Sequence, residues 1–581
     1  MTPSKFPAEY VEQDGIFAPK DRPISWGYSD GEGVEERIVS IVKDTPDISC
    51  LSPDLRKRMT DWATQYHLTP RRANLMRPIE HLFKGRILEV GAGCGAITRF
   101  LGETGADVFA VEGSPRRARA ARARTRDLPN VTVIVDNAEN VEFEEKFSVV
   151  TLIGVLEYAR IYVSGDDPID NMLQTLRSRL APGGALVIAI ENQLGLKYFA
   201  GAKEDHTARR FFGIEDLYTD KTVVTFGKVE LQRRLKAAGF QDCQWLYPFP
   251  DYKLPTTVLS EEAFTSGHDL SDLFAGSNFD DPQAPQPATF SLEQAWRPIA
   301  RNGLAGDLAN SFLIVCRAEA PSKKASPTSG PLAWHYSVDR HPAFAKQAVF
   351  ETGLNGLTVR RKLLSGATPP DGPLHIHLAD EPFATGKLWS GDLGKILNKP
   401  GWTADQVGQW LGVWRDALLA DARLERPAKP GSLDIPGSYL DALPFNLVFQ
   451  PDGKAHFIDL EWVWDEALPL PYLAYRALSK SLWRVTSCAK PARRRHLTAA
   501  FLMQDALRQI GITVDINTMR SFEERERALA SIVASGVARR SRPSPLRFYA
   551  RRLKVRSGHS DSLPTKLVRR VRRMMETGKA R

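Results

Sequence analysis

An α/β fold with a parallel sheet, followed by a smaller α+β domain and a basic helical tail, is predicted for this chain by three observations. From Arg86 onward, short β-branched runs (RILEV, DVFAVE, VTVIV, FSVVTLI, ALVIAI) alternate with longer helical stretches, the rhythm of parallel strands covered by helices. A glycine-rich turn joins the first of these runs to the helix after it. Beyond a linker rich in Ser, Lys and Pro, the order changes to strands first and helices later.

Each part follows from its own residues. Positions 1–70 are a lead-in with helical patterns at Val34 to Val42 and Pro53 to Tyr66. Positions 71–318 hold the α/β unit, closed by the amphipathic GKVELQRRLKAAGF (227–240) and the strand-like SFLIVCRA (311–318). Within it, 260–310 is rich in Ser, Asp, Pro and Gly and reads as an insertion or lid. EAPSKKASPTSGP marks the linker at 319–331, and 332–537 opens with FAKQAVFE, LTVRRKLL and LHIHLA before turning helical.

Composition narrows the function. Of the 581 residues, 43% are hydrophobic and 25% charged, which excludes a disordered or collagen-like chain. The longest apolar run, Val149 to Leu156, falls far short of the roughly 18–20 residues that span a bilayer. The N-terminus lacks a signal-peptide pattern, so a cytoplasmic location is expected. Cys50, Cys94, Cys243, Cys316 and Cys488 form no CxxC pair, so neither a disulfide framework nor a zinc site is indicated.

Charge is uneven. The net charge is +9, yet residues 539–581 hold 15 Lys or Arg against Asp561 and Glu576, a local +13 that leaves −4 for the rest. Nucleic acid is therefore not the expected partner. In the tail (538–581), Leu567, Val568, Val571, Met574 and Met575 share one helical face, with Arg569, Arg570, Arg572 and Arg573 on the other. Such a helix suits the anionic inner face of a membrane or a docking partner; a solubilising tail is the plainer alternative.

The strongest chemical signal is RILEVGAGCGAITRFLGETGADVFAVEGS, Arg86 to Ser114. Gly91, Gly93 and Gly95 permit a sharp turn and close approach of a ligand to the backbone. Glu112 ends the second strand, where a carboxylate accepts hydrogen bonds from both ribose hydroxyls of a nucleoside. Glu89, just before the turn, would repel a pyrophosphate and suits a cationic ligand such as a sulfonium with its ammonium group. This stretch resembles the E/DxGxGxG motif of class I S-adenosylmethionine-dependent methyltransferases, over roughly Arg71 to Ala318. The resemblance implies a Rossmann-like domain binding S-adenosyl-L-methionine, with Asp136 or Asn137 and Ala138 (VDNAEN) against adenine and Glu157 and Tyr158 facing the active site. The Pro-Gly-Gly of LRSRLAPGGALVIAI fits the same pattern, whereas Ser148 stands where many members carry an acid.

Methyl transfer from a sulfonium is an in-line displacement that depends on positioning, and the transfer itself needs no metal. A hydroxyl acceptor benefits from a base. The loop after the fifth strand holds Glu204, Asp205, His206, Arg209 and Arg210 at the ligand end of the sheet. His206 is the candidate base, Asp205 and Glu157 are further catalytic candidates, and Arg209 and Arg210 are candidate anion contacts. The loop from Asn192 and YPFPDYKLPTTVLSEEAF look similar to methyltransferase domains of cell-surface polysaccharide operons. That implies a glycan or lipid-linked sugar acceptor carrying the methylated sugar or phosphate group, and a glycosyltransferase as partner.

In the second half, Asp441, Pro444 and Asn446 have D-x-x-P-x-N spacing, and Asp459 follows a hairpin signal at Pro451 to Gly453. An Asp that positions a hydroxyl, an Asn and a second Asp that hold Mg²⁺ are the groups phosphoryl transfer needs. The stretch resembles aminoglycoside phosphotransferase-like kinases, which implies ATP and Mg²⁺ with Asn446 and Asp459 as metal ligands. Tyr439 replaces the expected His, Asp459-Leu460-Glu461 replaces DFG, and either Lys346 or Lys362 is the strand lysine. The overall plan looks like that of bifunctional O-antigen methyltransferase/kinase proteins. Alternatives are an RNA or small-molecule methyltransferase, or a cofactor-binding scaffold for glycan-assembly enzymes whose kinase-like half is degenerate.

Overall fold

The computed structural model describes residues 9–20, 31–285, 288–319, 330–354, 356–426, 433–534 and 551–556. An N-terminal hairpin, β1 (Tyr10–Gln13) and β2 (Ile16–Pro19), turns on Asp14 and Gly15, both at positive φ. The β-branched runs then form β3 (Arg86–Val90), β4 (Asp107–Glu112), β5 (Val131–Val135), β6 (Phe147–Ile153) and β7 (Leu180–Glu191). These five pair in parallel in the order β5-β4-β3-β6-β7, and β2 joins the β5 edge. Both faces are covered, which explains the unbroken apolar runs. Leu88, Phe109, Leu152 and Ile188 fill one face, while Ile87, Val108, Val149 and Val187 fill the other. The order in which strands are added reverses between β3 and β6, and the crevice at their carboxyl ends is where such sheets bind ligands.

The sheet is mixed beyond that point. Strands β8 (Asp242–Phe249), β9 (Thr257–Ser260) and β10 (Ser311–Arg317) are antiparallel additions, with β10 lying between β7 and β8. The linker at 319–331 does not end the sheet. Strand β11 (Gly330–Ser337) pairs with β9, and β12 (Lys346–Gly353) and β13 (Gly356–Leu363) continue it to fourteen strands among the described residues, with Glu381–Pro382 at the far edge. Without β11, β9 would leave a row of unpaired backbone groups at an open edge. The two halves thus share one hydrogen-bonded sheet, and Ala333, Ala348, Phe350 and Val359 of the second half pack into the first core. The second core gathers Trp410, Leu411, Trp414, Tyr472 and Leu478 from helices after the strands, with Trp402 from the loop before one of them.

The insertion folds onto the first half. Its helix Leu292–Arg301 buries Trp296 edge-on against Phe249 and Phe274, at 5.3 and 5.4 Å between ring centres. Glu293 of that helix accepts hydrogen bonds from the backbone and hydroxyl of Thr486 in the second half. In the lead-in, helix Glu32–Lys43 packs on helix Pro115–Arg124, where buried Glu35 pairs with Arg116 at 3.0 Å. The helical pattern expected from Pro53 to Tyr66 breaks into Pro53–Lys57 and Trp62–Leu68. Asp61 causes the break: it is extended and caps the second helix reciprocally with Thr64. Among the described residues no helix is long and apolar enough to cross a membrane. The amphipathic tail pattern from Leu567 to Met575 lies outside the described residues.

Candidate functional site

The glycine turn follows β3 directly. Gly91, Gly93 and Gly95 all have positive φ, at 78°, 57° and 82°. Their surroundings differ. A side chain at Gly91 would collide with Val155, whereas one at Gly95 would sit 2.7 Å from the Cα of Ala121. Gly91 and Gly93 line a cavity of about 390 Å³, but Gly95 lies outside its wall. Gly95 lets helix Ala96–Glu103 approach helix Pro115–Arg124, which is a packing duty.

Two buried acids flank the turn. Glu112 accepts from the backbone N–H of Gly93 at 2.7 Å and of Ser114 at 2.9 Å, so it shapes the loop while its remaining lone pairs face the cavity. Glu89 has one oxygen with no partner among the described residues, and burial, reinforced by Glu112, pushes its carboxyl up to about 8. A cationic ligand must displace that proton. Affinity for such a ligand is therefore expected to rise by up to roughly tenfold per pH unit from pH 6 until it levels near pH 8, measurable by calorimetric titration. A pH-independent affinity would place the ligand's cation away from Glu89.

Asp136, Asn137 and Ala138 also line the cavity. Asp136 is occupied: it accepts from Tyr10 at 2.7 Å, from the Asn137 backbone at 2.7 Å and from Asn140 at 3.0 Å. The Asn137 side chain caps the short turn 138–140, accepting from the Glu139 N–H at 3.2 Å. This wall is thus held rigid from the hairpin side as well as from the sheet.

The opposite end of the cavity carries Glu157, Tyr158, Asp205, His206, Tyr252 and Lys253. Glu157 is fully buried, both its oxygens lack hydrogen-bond partners among the described residues, and burial pushes its carboxyl up to about 7. His206 is held at both nitrogens, by the Tyr158 hydroxyl at 3.0 Å and by Glu191 at 3.2 Å. Burial opposes its charge, yet the contact with Glu191 prevails and its pKa lies above the ordinary value. Lys253 donates to Glu191 and Asp205, and Gln283 of the insertion reaches Asp205 at 2.7 Å. Behind them Lys197 and Asp251 form a fully buried pair at 2.6 Å. Arg209 and Arg210 are exposed and do not line the cavity, and Glu204 accepts from the Gly213 N–H at 2.6 Å, a loop contact.

The residues singled out in the second half converge too. Asn446 donates to the Asp441 carbonyl at 2.9 Å, and Asp459, at positive φ, receives Lys346 at 2.7 Å and Arg361 at 2.9 Å. Lys346 is buried and also pairs with Glu461 at 2.6 Å, whereas Lys362 is exposed, so the strand position facing this cluster belongs to Lys346. Arg340 holds Glu461 at 2.7 Å and Arg476 stands 3.8 Å from Asp441. Burial, then the charge of Glu461, pushes Asp441 up to about 7. Arg361 is shared with Glu381, and Arg476 with Glu526, which also takes Lys480, so among the described residues five acids meet five cations and leave no surplus negative charge for Mg²⁺.

Glu191, Lys253, Lys197 and Asp251 were not candidates from sequence. Glu191 is the last residue of β7, and an acid ending a strand at the ligand edge is a usable signal; the other three have none, because their partners lie 48–62 residues away.

Residues 88–186 match the family described as a methyltransferase domain. The demethylmenaquinone methyltransferases of two Tropheryma whipplei strains, Twist and TW08/27, are 31% identical over 102 residues. That stretch is 18% of this chain, and it spans only 40% of the length of those relatives. Among solved structures, the CcbJ methyltransferase from Streptomyces caelestis is 16% identical and covers 49% of this chain and 98% of its own, at a TM-score of 0.27. A Thermotoga maritima SAM-dependent methyltransferase is 18% identical over 46% of this chain and 98% of its own, at 0.25. Scores that low add nothing to the strand order above. On the family match and the glycine turn it contains, residues 88–186 of this chain are a methyltransferase domain.

Proposed function

We propose that the chain is an S-adenosylmethionine-dependent methyltransferase whose acceptor is a sugar hydroxyl on a cell-surface polysaccharide or its lipid-linked precursor. One observation carries the reading: the turn between Glu89 and Glu112 opens into the same cavity as Glu157, Tyr158 and His206. Glu89 supplies a counter-charge for the cofactor's cation, Glu112 acceptors for ribose, and Gly91 and Gly93 the space for close approach. Transfer then requires the acceptor oxygen to lie in line with methyl and sulfur, and the polar far wall is where it would be held. Glu157 and Asp205 line that wall beside Lys253, and buried Glu191 pairs with Lys253 and His206; these acids favour a hydroxyl over the phosphate acceptor that the resemblance leaves open. Calorimetric titration with S-adenosylmethionine, followed by incubation with methyl-labelled cofactor and envelope glycolipids, tests it. Binding and a labelled glycan are expected; no binding overturns the cofactor assignment, and label only in RNA or a small molecule overturns the acceptor.

For the second half the charge balance favours a kinase-like unit that binds acceptor or partner without Mg²⁺-ATP, and magnesium-dependent ATP binding would overturn that. A glycosyltransferase partner, and an anionic membrane surface reached through the basic tail from the cytoplasmic side, belong to the same proposal and rest on the sequence pattern.

A further inference from the structure

Glu157, Glu191 and His206 come from the turn after β6, the end of β7 and the loop beyond, yet each presents a ligand-type atom within 4.8 Å of the other two. The acids of this group do not satisfy one another. Lys253 takes Oε1 of Glu191, while Oε2 faces Nε2 of His206 at 3.2 Å. Glu157 has 0% exposure, and neither of its oxygens has a hydrogen-bond partner among the described residues. A buried carboxylate without a partner is expensive, and a cation is the partner that both its oxygens lack.

The charge balance points the same way. Among the described residues, Glu157, Glu191 and Asp205 face one ammonium, that of Lys253, and the neighbouring Lys197 and Asp251 cancel each other. In the protonation state that a bound cation requires, with Glu157 ionised and the imidazole neutral, the acids exceed Lys253 by two charges. We propose that Glu157, Glu191 and His206 bind one divalent first-row cation, of the Mn²⁺ or Zn²⁺ kind, with open positions facing the acceptor end of the cavity. Two carboxylate oxygens and one imidazole nitrogen form a donor set suited to such ions more than to Ca²⁺ or Mg²⁺. The Tyr158 hydroxyl, 3.0 Å from Nδ1, fixes the ring so that Nε2 faces the carboxylates, as an outer partner of a metal-bound histidine does. Nδ1 then carries the ring proton and donates it to the tyrosine oxygen.

The inference rests on the methyltransferase reading of the cavity and deepens it: a cation here binds an acceptor through its oxygens and eases loss of a hydroxyl proton. It selects acceptors bearing a hydroxyl, preferably two on neighbouring atoms.

The test uses the full chain, stripped with chelator and titrated with MnCl₂ while free Mn²⁺ is followed by electron paramagnetic resonance; S-adenosylmethionine binding is measured on the same samples. One Mn²⁺ per chain is expected, with affinity at least tenfold weaker in both Glu157→Gln and His206→Ala. Absence of stoichiometric Mn²⁺ and, in a parallel titration, of Zn²⁺ overturns the proposal. So does unchanged affinity in whichever variant retains the wild-type circular dichroism. Cofactor binding by a protein that takes up neither Mn²⁺ nor Zn²⁺ overturns the cation site alone; metal uptake by a protein that does not bind the cofactor upholds the site and overturns the methyltransferase reading.

Discussion

Glu112→Ala should weaken S-adenosylmethionine binding by about 100-fold or more while leaving the protein folded. The carboxylate has two duties. It anchors the N–H groups of Gly93 and Ser114, at 2.7 and 2.9 Å, and so draws the glycine turn around itself. Its remaining lone pairs face the cavity, where the ribose hydroxyls of the proposed cofactor would donate to them. A hydrogen bond to a charged group contributes about 1.5–3 kcal/mol, so losing two corresponds to about 3 kcal/mol or more, hence roughly 100-fold in Kd. Calorimetry measures the affinity, and thermal melting shows that folding persists. A variant that binds the cofactor as the parent does would remove Glu112 from the site.

Asp251→Ala is expected to destabilise the fold by about 3–5 kcal/mol, because it strands the ammonium of Lys197 in the interior without its partner. Both side chains are almost wholly inaccessible and meet at 2.6 Å. Burial opposes the charge on Asp251, but Lys197 and then Lys253 overcome it and hold the carboxyl below the ordinary aspartate value. The sign follows: the pair stabilises fully above the unfolded-state pKa near 4 and is lost as pH falls through the depressed native value. Urea unfolding at pH 7 and pH 3 should show the variant's deficit at neutral pH shrinking in acid. Replacing both partners, as in Lys197→Met with Asp251→Leu, should recover part of the loss, since two apolar groups leave no charge unpaired. A deficit that persists undiminished at pH 3 would show that Asp251 stabilises by packing and not by its charge.

The glycine-turn end of the cavity, where the cofactor is proposed to bind, was legible because its parts lie in one stretch. Glu89, Gly91, Gly93 and Glu112 span a single strand-turn-helix-strand unit, and local periodicity places them at the crevice. Gly95 shows the limit even there, since only the contact with Ala121 reveals that it serves helix packing. The opposite end of the cavity, the proposed acceptor side, was visible only as isolated letters. His206 stood out by residue type, but Tyr158 and Glu191, which orient it, lie 48 and 15 residues away. Lys253 carries no signal in a Tyr- and Pro-rich segment until the sheet brings it to Glu191.

From residues alone, the chain determined its parallel strands, the glycine turn and the acids flanking it, because hydrophobic period and turn chemistry act over a few neighbouring residues. Tertiary structure decided the rest. It joined the two halves into one sheet through the pairing of β9 with β11 and chose Lys346 over Lys362. It neutralised the Asp459 cluster and left Glu157 buried without a hydrogen-bond partner among the described residues. Charge pairing and strand register depend on distances between segments remote in the chain, and those distances exist only once the chain has folded.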